Sequence, residues 1–496
     1  MSEKKLNYFW CIGMFIILPL VMTKGYSNIT ITKFIVYGMF TIICFYWMVL
    51  YRFFDYVSTD NKANKISIVE KLVIVYFVMN CITCVVSRNI TGDIIAVYDK
   101  HMGLFYILLT VMTFLTVRYM KVNDLSNLFR TVAIGTCIII AIAFLQFIGA
   151  DFGNLLGRLT IEERGNFLST MGNTAVFGKY CCIVCPVLIF MLWKSNDRKD
   201  KFIYKILSAL FFISILISNI DAAYLGFSVA IVSLFLLSLK YKYLKNYICA
   251  LESGFIGFII FGILYKLLPN VRHLSQLGVF VISNILGEVI IAVVVVFIIM
   301  VSDKKNYHIS DRLRAILFKC IAGIVIAAII VILFLFIYCS FINRTINIGG
   351  FERYFRFNDD WGTQRGIVWR WCAGIYTNLP VHKKLFGAGH GSVPILLLEN
   401  YKTQMSKNLG FVFDNAHNVY LHQLVSTGIV GVLSYLAVLI STVVSGFRNK
   451  DRMIFAVAII ICMIMDMVCI YEPITNPYLW VLVAFVCRTD ENKLKY

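Results

Sequence analysis

Long apolar runs, separated by short polar segments, follow one another along almost the whole chain. The runs lie near 8–22, 32–51, 71–87, 102–117, 131–149, 172–193, 203–218, 222–239, 247–265, 277–301, 320–342, 418–444, 453–470 and 475–487. A helix needs roughly 17 to 25 residues, most of them apolar, to cross a bilayer. Because a helix satisfies its own backbone groups in lipid, the pattern predicts an all-α, polytopic integral membrane protein with about 14 transmembrane helices.

One long interruption divides this pattern. Between 343 and 416 no run is long enough to span a bilayer, so we expect a large extracytoplasmic loop that carries short helices. The chain then consists of a membrane domain over 1–342 with about 11 helices, the loop over 343–416, and C-terminal membrane helices with a short cytoplasmic tail over 417–496. Within the loop we expect an interfacial helix from Thr363 to Asn378 that ends before Pro380.

The composition supports a membrane protein, and the distribution of lysines and arginines accounts for the net charge. Apolar residues occupy 60% of the 496 positions and charged residues 15%, unlike a soluble domain. A net charge of +19 is compatible with a nucleic-acid partner, but lysines and arginines concentrate in alternate connecting segments. The positive-inside rule accounts for that distribution. We therefore expect a multi-pass protein of the cytoplasmic membrane with both termini in the cytoplasm and no nucleic-acid partner.

Fifteen cysteines are present, and nearly all lie within the apolar runs. Thiols in such places behave as small apolar groups. Neither the pair Cys81 and Cys84 nor the pair Cys182 and Cys185 has a second pair or nearby histidines at zinc spacing. We expect no disulfide, no metal site and no cofactor.

The polar segment 414–421 runs into a membrane-length apolar run and contains His417 between Asn415 and Asn418. The unpaired N–H groups and the positive dipole end of a helix N-terminus disfavour protonation of a nearby imidazole. A histidine held neutral can serve as a general base. The alternative is that Asn415 caps the helix and His417 simply lies in the membrane interface.

Other polar residues lie near predicted helix ends. Asn173 could cap a helix, and Lys179 lies inside an apolar run, where a charge needs a cavity or a partner. Asp221 either faces an outer cavity or caps the next helix, and capping is the favoured interpretation. Lys100 and His101 open the fourth run, are interpreted as interfacial, and are not candidates for the site.

The predicted outer loop is basic, although long translocated segments escape the positive-inside rule. Its cations would meet anionic lipid headgroups or, more specifically, a diphosphate, because guanidinium groups match phosphate oxygens in pairs. Arg365 leads these candidates, with Arg353 and Arg356 behind it and Trp369 on the face of Arg365. The glycine-containing segment 385–392 has no strand around it, so we expect a tight turn over the membrane mouth, not a nucleotide-binding loop.

Together these segments resemble the O-antigen ligase and O-antigen polymerase superfamily. The motifs are Arg365-x-x-x-Trp369, Leu385-Phe386-Gly387-x-Gly389-x-Gly391 and Ala416-His417-Asn418-x-Tyr420-Leu421, followed by Gly428-Ile429-Val430-Gly431. Gly172-Asn173-Thr174 is similar to the upstream Asn-containing motif of that family, and the likeness extends over 158–439. One departure is that many members carry a Ser-Arg pair in the outer turn where this chain has Asp221-Ala222.

The resemblance implies a metal-independent, inverting glycosyltransferase on the outer face of the cytoplasmic membrane. Its donor would be a glycan on undecaprenyl or another polyprenyl diphosphate, and its acceptor a lipid-linked glycan or another surface lipid. Membrane lipid, a flippase and a chain-length regulator would be its other partners. His417 and Arg365 would be catalytic. The candidates for substrate binding are Arg353, Arg356, Asn415, Asn418, Trp369, Asn173, Lys179 and Asp221.

Three functions remain open. The first is a polymerase of polysaccharide repeat units for the cell envelope, the second a ligase that transfers finished glycan, and the third a transporter without chemistry. In the transporter, Lys179, Asp221 and Glu288 would line a substrate path. We favour the polymerase over the ligase because the loop is basic and aromatic enough to hold a long glycan and nothing indicates a lipid A partner. The transporter leaves His417 and the arginine-rich loop unexplained.

Overall fold

The computed structural model describes residues 3–59, 66–120, 125–151, 153–195, 197–268, 271–284, 310–409 and 412–488. Over these residues the chain is an all-α polytopic membrane protein, as the apolar pattern predicts. Nine of the described helices are long and apolar enough to cross a membrane, or ten if a helix pair bent by 83° is one span. Each predicted run coincides with a helix or with that pair, except 277–301, which lies mostly outside the described residues.

The helices before the large loop are α1 (Glu3–Ile12), α2 (Leu18–Leu20), α3 (Ile29–Thr59), α4 (Ile68–Ser87), α5 (Ile90–Ile95), α6 (Leu104–Tyr119), α7 (Leu125–Phe147), α8 (Ile161–Arg164), α9 (Thr174–Trp193), α10 (Arg198–Ser218), α11 (Asp221–Tyr241), α12 (Leu244–Leu267), α13 (Gln276–Ser283) and α14 (Asp311–Ile337). A short antiparallel ribbon of β1 (Phe167–Leu168) and β2 (Gly172–Asn173) precedes α9. It pairs Phe167 with Asn173 and Leu168 with Gly172.

The remaining helices are α15 (Glu352–Phe355), α16 (Trp361–Asn378), α17 (Val381–Phe386), α18 (Ser392–Asn408), α19 (Val419–Phe447), α20 (Met453–Asp466) and α21 (Asn476–Cys487). Helix α16 ends at Asn378, before Pro380, as predicted from the sequence. The interval expected to be the outer loop therefore carries α15 to α18. The domain boundaries drawn from the sequence, and the side of the membrane on which this interval lies, stay predictions.

Helix α9 is the centre of the membrane domain. Every residue from Val176 to Trp193 is buried, as expected for a helix that is apolar on all sides. It packs against α7, α10, α11 and α20. Helix α14 is the opposite case, because none of its residues is buried. Lipid tails are as apolar as leucine side chains, so a helix of this kind can face the bilayer directly.

A break in α19 positions the glycine-containing turn. At Gly428 the backbone has φ 70° and ψ −179°, a conformation that is essentially restricted to glycine. The break frees the carbonyls of Val425 and Ser426, which accept hydrogen bonds of 3.0 Å from the N–H groups of Ala388 and Gly389. Backbone groups in a membrane must find a partner within the protein, so the turn completes the hydrogen bonding of the broken helix.

The glycines in this region permit a close backbone approach. Gly387 has φ 92°, and an added Cβ there would collide with the carbonyl of Ser426. A Cβ on Gly428 would collide with the carbonyl of Leu385. At Gly389, a Cβ would lie 2.6 Å from a carboxylate oxygen of Asp93 in α5. Packing of the turn against α19 and α5 therefore explains Gly387, Gly389 and Gly428.

Replacement of Gly428 tests this account. Gly428→Ala should lower the free energy of unfolding by at least about 1–3 kcal/mol, because alanine is strained in this backbone conformation and its methyl group meets the Leu385 carbonyl. Thermal unfolding in detergent measures the loss. Gly323→Ala in α14 is the control, since no atom lies within 4 Å of the added Cβ. Equal melting temperatures for the two variants would contradict a tight contact at Gly428.

Candidate active site

His417 lies immediately before the cap of α19. The side-chain Oδ1 of Asn418 accepts a hydrogen bond of 2.9 Å from the N–H of Leu421, so Asn418 is the N-cap. The Oδ1 of Asn415 accepts instead from the N–H of His417, at 3.0 Å. The interpretation in which Asn415 caps the helix is therefore wrong. His417 stands outside α19, with a left-handed φ of 49° that is uncommon for a residue other than glycine.

The imidazole of His417 is held neutral by its surroundings. Burial is the main cause that lowers its pKa to about 4, and the charge of Arg365 acts in the same direction. Asp414 opposes this shift, and Lys100 adds to it. The ring of Phe413 meets the imidazole edge to face, with centroids 5.4 Å apart. The low pKa agrees with the neutral imidazole that the sequence predicts, and burial and neighbouring cations are its causes.

Arg365 begins the regular part of α16. Gly362, Thr363 and Gln364 just before it have left-handed φ values of 63°, 62° and 66°. For residues other than glycine this conformation costs roughly 1–2 kcal/mol each, so backbone strain is concentrated beside Arg365. Nη1 donates to the carbonyl of Gly362 at 2.8 Å. Nε is buried and has no hydrogen-bond partner among the described residues, which leaves a guanidinium donor for a ligand.

Lys100 also lies beside His417. The segments Ile90–Asp99 and Leu104–Tyr119 form the pair bent by 83°, and both Lys100 and His101 in the bend have left-handed φ. The Nζ of Lys100 lies 2.7 Å from Oδ2 of Asp414. This ion pair joins the bend to the segment that contains His417, so Lys100, which the sequence analysis left outside the site, becomes a candidate.

The sequence around this geometry matches a known family. Residues 277–436 match the family model described as O-antigen ligase. This confirms the resemblance to the O-antigen ligase and polymerase superfamily. No match to a curated protein was found.

The O-antigen ligase match contains Arg365, Trp369, the glycine-containing turn and His417. Lys100 and Asp221 lie before it in the chain, so the site combines the matched region with residues of the preceding helices. The charge of Asp221 is one of those that act on Arg365. Tertiary structure therefore supplies charged groups that the matched stretch alone does not contain.

A second histidine of the O-antigen ligase region, His422, forms a buried pair with Asp99. Nε2 of His422 lies 2.7 Å from Oδ2 of Asp99, and both side chains are buried. The ring of Tyr471 lies 5.7 Å from the imidazole. Nδ1 of His422 and Oδ1 of Asp99 are without a hydrogen-bond partner among the residues described. Sequence reasoning missed this pair, for which the only signal was a histidine five residues after His417.

Lys179 has the partner that its place in an apolar run requires. Its ammonium forms an ion pair with the carboxylate of Asp466 in α20. Only 4% of the Lys179 side chain and 1% of the Asp466 side chain are exposed. The predicted need for a partner is confirmed. Substrate binding by Lys179 stays a prediction, and it would require the ligand to displace Asp466.

Asn173 and Asp221 differ in what their side chains do. The Oδ1 of Asn173 accepts from the N–H of Ala175 at 2.8 Å, so Asn173 caps α9 as predicted. Asp221 is the first residue of α11, follows the N-cap Ile220, and is exposed. No side-chain hydrogen bond caps α11, so the favoured interpretation of Asp221 as a cap is wrong. Its exposed carboxylate instead acts electrostatically on Arg365, partly offsetting the burial that lowers the pKa of that guanidinium.

The other two arginine candidates already have protein partners. Arg356 forms an ion pair of 3.0 Å with Glu352 and donates to the carbonyl of Ile346. Arg353 donates to Oε1 of Gln276 at 3.2 Å and stacks over the ring of Tyr354. Nε of Arg356 is buried without a partner among the described residues, as is that of Arg365. Arg365 is the better candidate because it is the arginine whose charge acts on His417.

Trp369 belongs to an aromatic cluster. Its ring lies 6.1 Å from that of Phe357 and 5.1 Å from that of Trp361. The indole Nε1 is buried and has no acceptor in the described part of the chain. An aromatic face next to an unused N–H donor suits a sugar ring, which stacks and accepts hydrogen bonds.

A double-mutant cycle decides the role of Lys179. If the pair is structural, Lys179→Met and Asp466→Leu should each cost about 3–5 kcal/mol of stability, because each leaves a buried charge unpaired. The double replacement should cost less than the sum of the two. Thermal unfolding in detergent measures all three. Asp451→Asn is the control, since Asp451 pairs with Lys194 and its side chain is 57% exposed. Normal stability with loss of donor binding in Lys179→Met would instead assign Lys179 to the substrate.

Proposed function

We propose that the protein is a glycosyltransferase that acts on the outer face of the cytoplasmic membrane and extends a glycan with units carried on polyprenyl diphosphate. The observation that carries this proposal is the position of His417 immediately before the N-cap of α19, where burial and the charge of Arg365 lower the pKa of its imidazole. The O-antigen ligase match supports it, because that family handles lipid-linked glycans.

The proposed reaction exchanges one bond for another. A hydroxyl oxygen of the acceptor attacks the anomeric carbon of the donor, and the bond from that carbon to the diphosphate oxygen breaks. The electron pair leaves with polyprenyl diphosphate, and the hydroxyl proton passes to His417. Attack opposite the leaving group inverts the anomeric configuration. Positioning and charge stabilisation supply most of the acceleration in such a scheme.

Arg365 is the proposed partner of the leaving diphosphate. Negative charge grows on the diphosphate as the glycosidic bond breaks, and a fixed guanidinium stabilises that charge most in a site that excludes water. The unused Nε donor and the strained backbone before Arg365 agree with a side chain held for a ligand. A planar guanidinium can make two parallel hydrogen bonds to phosphate oxygens.

Donor binding would also strengthen the base. Without substrate, burial and the charge of Arg365 hold the pKa of His417 near 4. A diphosphate beside Arg365 brings negative charge, which favours the protonated imidazole and raises that pKa. A general base works best with a pKa near the working pH. The base would then be most effective when the donor is in place.

Two observations bear on the competing functions. The aromatic cluster around Trp369 supports a polymerase, because a growing chain needs a surface that holds several sugars. The burial of Lys179 against Asp466 disfavours the transporter, in which Lys179 would line the path. Glu288, the other charge invoked for that path, lies outside the described residues. Nothing in the geometry favours a ligase over the polymerase.

Replacement of His417 tests the proposal. His417→Gln should lower the turnover of a lipid-linked donor by roughly 100-fold to 10,000-fold, the usual loss when a general base is removed. Donor binding and the amount of folded protein should stay normal. His382→Gln is the matched control, because His382 is an exposed histidine of α17. Retention of more than about a tenth of wild-type turnover would reassign His417 to substrate positioning.

The pH dependence gives a second readout from the same assay. In the free enzyme the imidazole is neutral above its pKa of about 4, so kcat/KM should stay constant as the pH falls to about 5 and decline below that. The acid limb of kcat should lie at higher pH, because the bound diphosphate raises the pKa of His417. An acid limb of kcat/KM near 6.5, the ordinary value for histidine, would contradict a buried base.

A further inference from the structure

Lys100 is a cation that the proposed mechanism does not yet use. It lies in the bend between Ile90–Asp99 and Leu104–Tyr119, and its charge acts on His417 together with that of Arg365. Its ammonium is 2.7 Å from Oδ2 of Asp414, 314 residues away in the chain. The bend and the segment before α19 thus meet at this ion pair, three residues before His417 in the chain.

The different exposure of the two side chains favours an exchange of the anion that binds Lys100. The side chain of Asp414 is 64% exposed, whereas that of Lys100 is 19% exposed. Ion pairs with an exposed member contribute little to stability, because water screens them. Asp414 can therefore turn into solvent at small cost, while the ammonium of Lys100 stays within the site and needs another anion.

The position of Lys100 does not depend on Asp414. Lys100 and His101 have left-handed φ values of 55° and 63°, a strained conformation that persists only where the surrounding structure imposes it. The preceding residue, Asp99, is fixed by the buried contact of 2.7 Å with His422 in α19. Removal of the Asp414 carboxylate should therefore leave the backbone of Lys100 in place, so that the side chain can still reach an anion in the site.

The charges near His417 and Arg365 favour the replacement of Asp414 by another anion on Lys100. Arg365 and Lys100 contribute two positive charges, and Asp414 and Asp221 contribute two negative ones. A donor diphosphate brings further negative charge, which can be accommodated if it replaces Asp414 on Lys100. Both carboxylates are exposed, but Asp414 is the one that forms an ion pair among the described residues, and an ion pair with an exposed member is easily broken. An ammonium is a common phosphate ligand as a point charge.

We propose that the diphosphate of the lipid-linked donor takes the place of Asp414 on Lys100, so that Lys100 and Arg365 bind it together. This inference rests on the proposed function for its ligand. Asp414 then acts as a stand-in anion that occupies Lys100 until the donor arrives. Once released, its carboxylate turns into solvent, where water screens its charge.

Direct binding of polyprenyl diphosphate, the expected product, tests this without requiring catalysis. The purified chain in lipid nanodiscs is titrated with radiolabelled polyprenyl diphosphate, and glycan transfer is assayed separately. Lys100→Gln should raise the Kd by about 10-fold or more, the loss expected for one charge-assisted contact. Lys100→Arg should restore most of the affinity. Asp414→Asn should bind as tightly as wild type or more tightly, because the competing carboxylate is gone.

The controls separate this inference from the proposed function. Lys402→Gln removes an exposed lysine of α18 and should leave the Kd unchanged. The inference is overturned if Lys100→Gln binds normally, if Asp414→Asn weakens binding as much as Lys100→Gln does, or if the wild-type chain does not bind the lipid. Normal binding with the expected variant pattern, but no transfer of glycan by the wild type, would reject the proposed function and keep the diphosphate site.

Discussion

The proposed chemistry depends on an imidazole that stays uncharged although a cation is nearby. His417 is half-buried immediately before α19, and burial together with the charge of Arg365 lowers the pKa of its imidazole to about 4. On a fully exposed histidine, water would solvate the imidazole and screen the charge of Arg365, so the pKa would not fall as far. With its lowered pKa the imidazole of His417 stays unprotonated at neutral pH, and the negative charge of a bound diphosphate raises that pKa. The imidazole is therefore suited to a reaction whose leaving group is a diphosphate.

Backbone strain supports the same site. Left-handed residues other than glycine occur in the bend at Lys100 and His101, before Arg365 at Thr363 and Gln364, and at His417 itself. Such residues persist where surrounding contacts determine the backbone, and they cluster at functional sites. Here those contacts include the Asp99–His422 pair and the turn docked in the break of α19. The packing of three distant segments therefore sets the positions of the two cations and the base.

The sequence predicted the fold class, and the need of Lys179 for a partner, because both leave local signals. Membrane helices appear as long apolar runs, and a buried lysine such as Lys179 implies a partner. The pairing of that lysine with Asp466, and of Lys100 with Asp414, joins residues hundreds of positions apart, which no local pattern encodes. Lys100 was set aside because snorkelling explains a lysine at a helix end equally well.

The assignment of helix caps from residue type was wrong at two positions. Asn415 and Asn418 are both suitable caps by residue type, and only the left-handed turn at His417 places Asn418 at the cap. Asp221 was assigned as a cap on the same preference, yet Ile220 precedes α11 and the carboxylate is exposed. Residue preference located the helix ends correctly but did not identify which side chain forms the capping hydrogen bond.

One measurement tests the central claim most directly. The purified chain is reconstituted alone in liposomes with a defined polyprenyl-diphosphate-linked oligosaccharide, and the products are analysed by mass spectrometry and by NMR of the anomeric proton. The account predicts longer lipid-linked glycans, release of polyprenyl diphosphate, and a new linkage of inverted anomeric configuration. Movement of the intact donor between leaflets with no new glycosidic bond, or a new linkage of retained configuration, would contradict it.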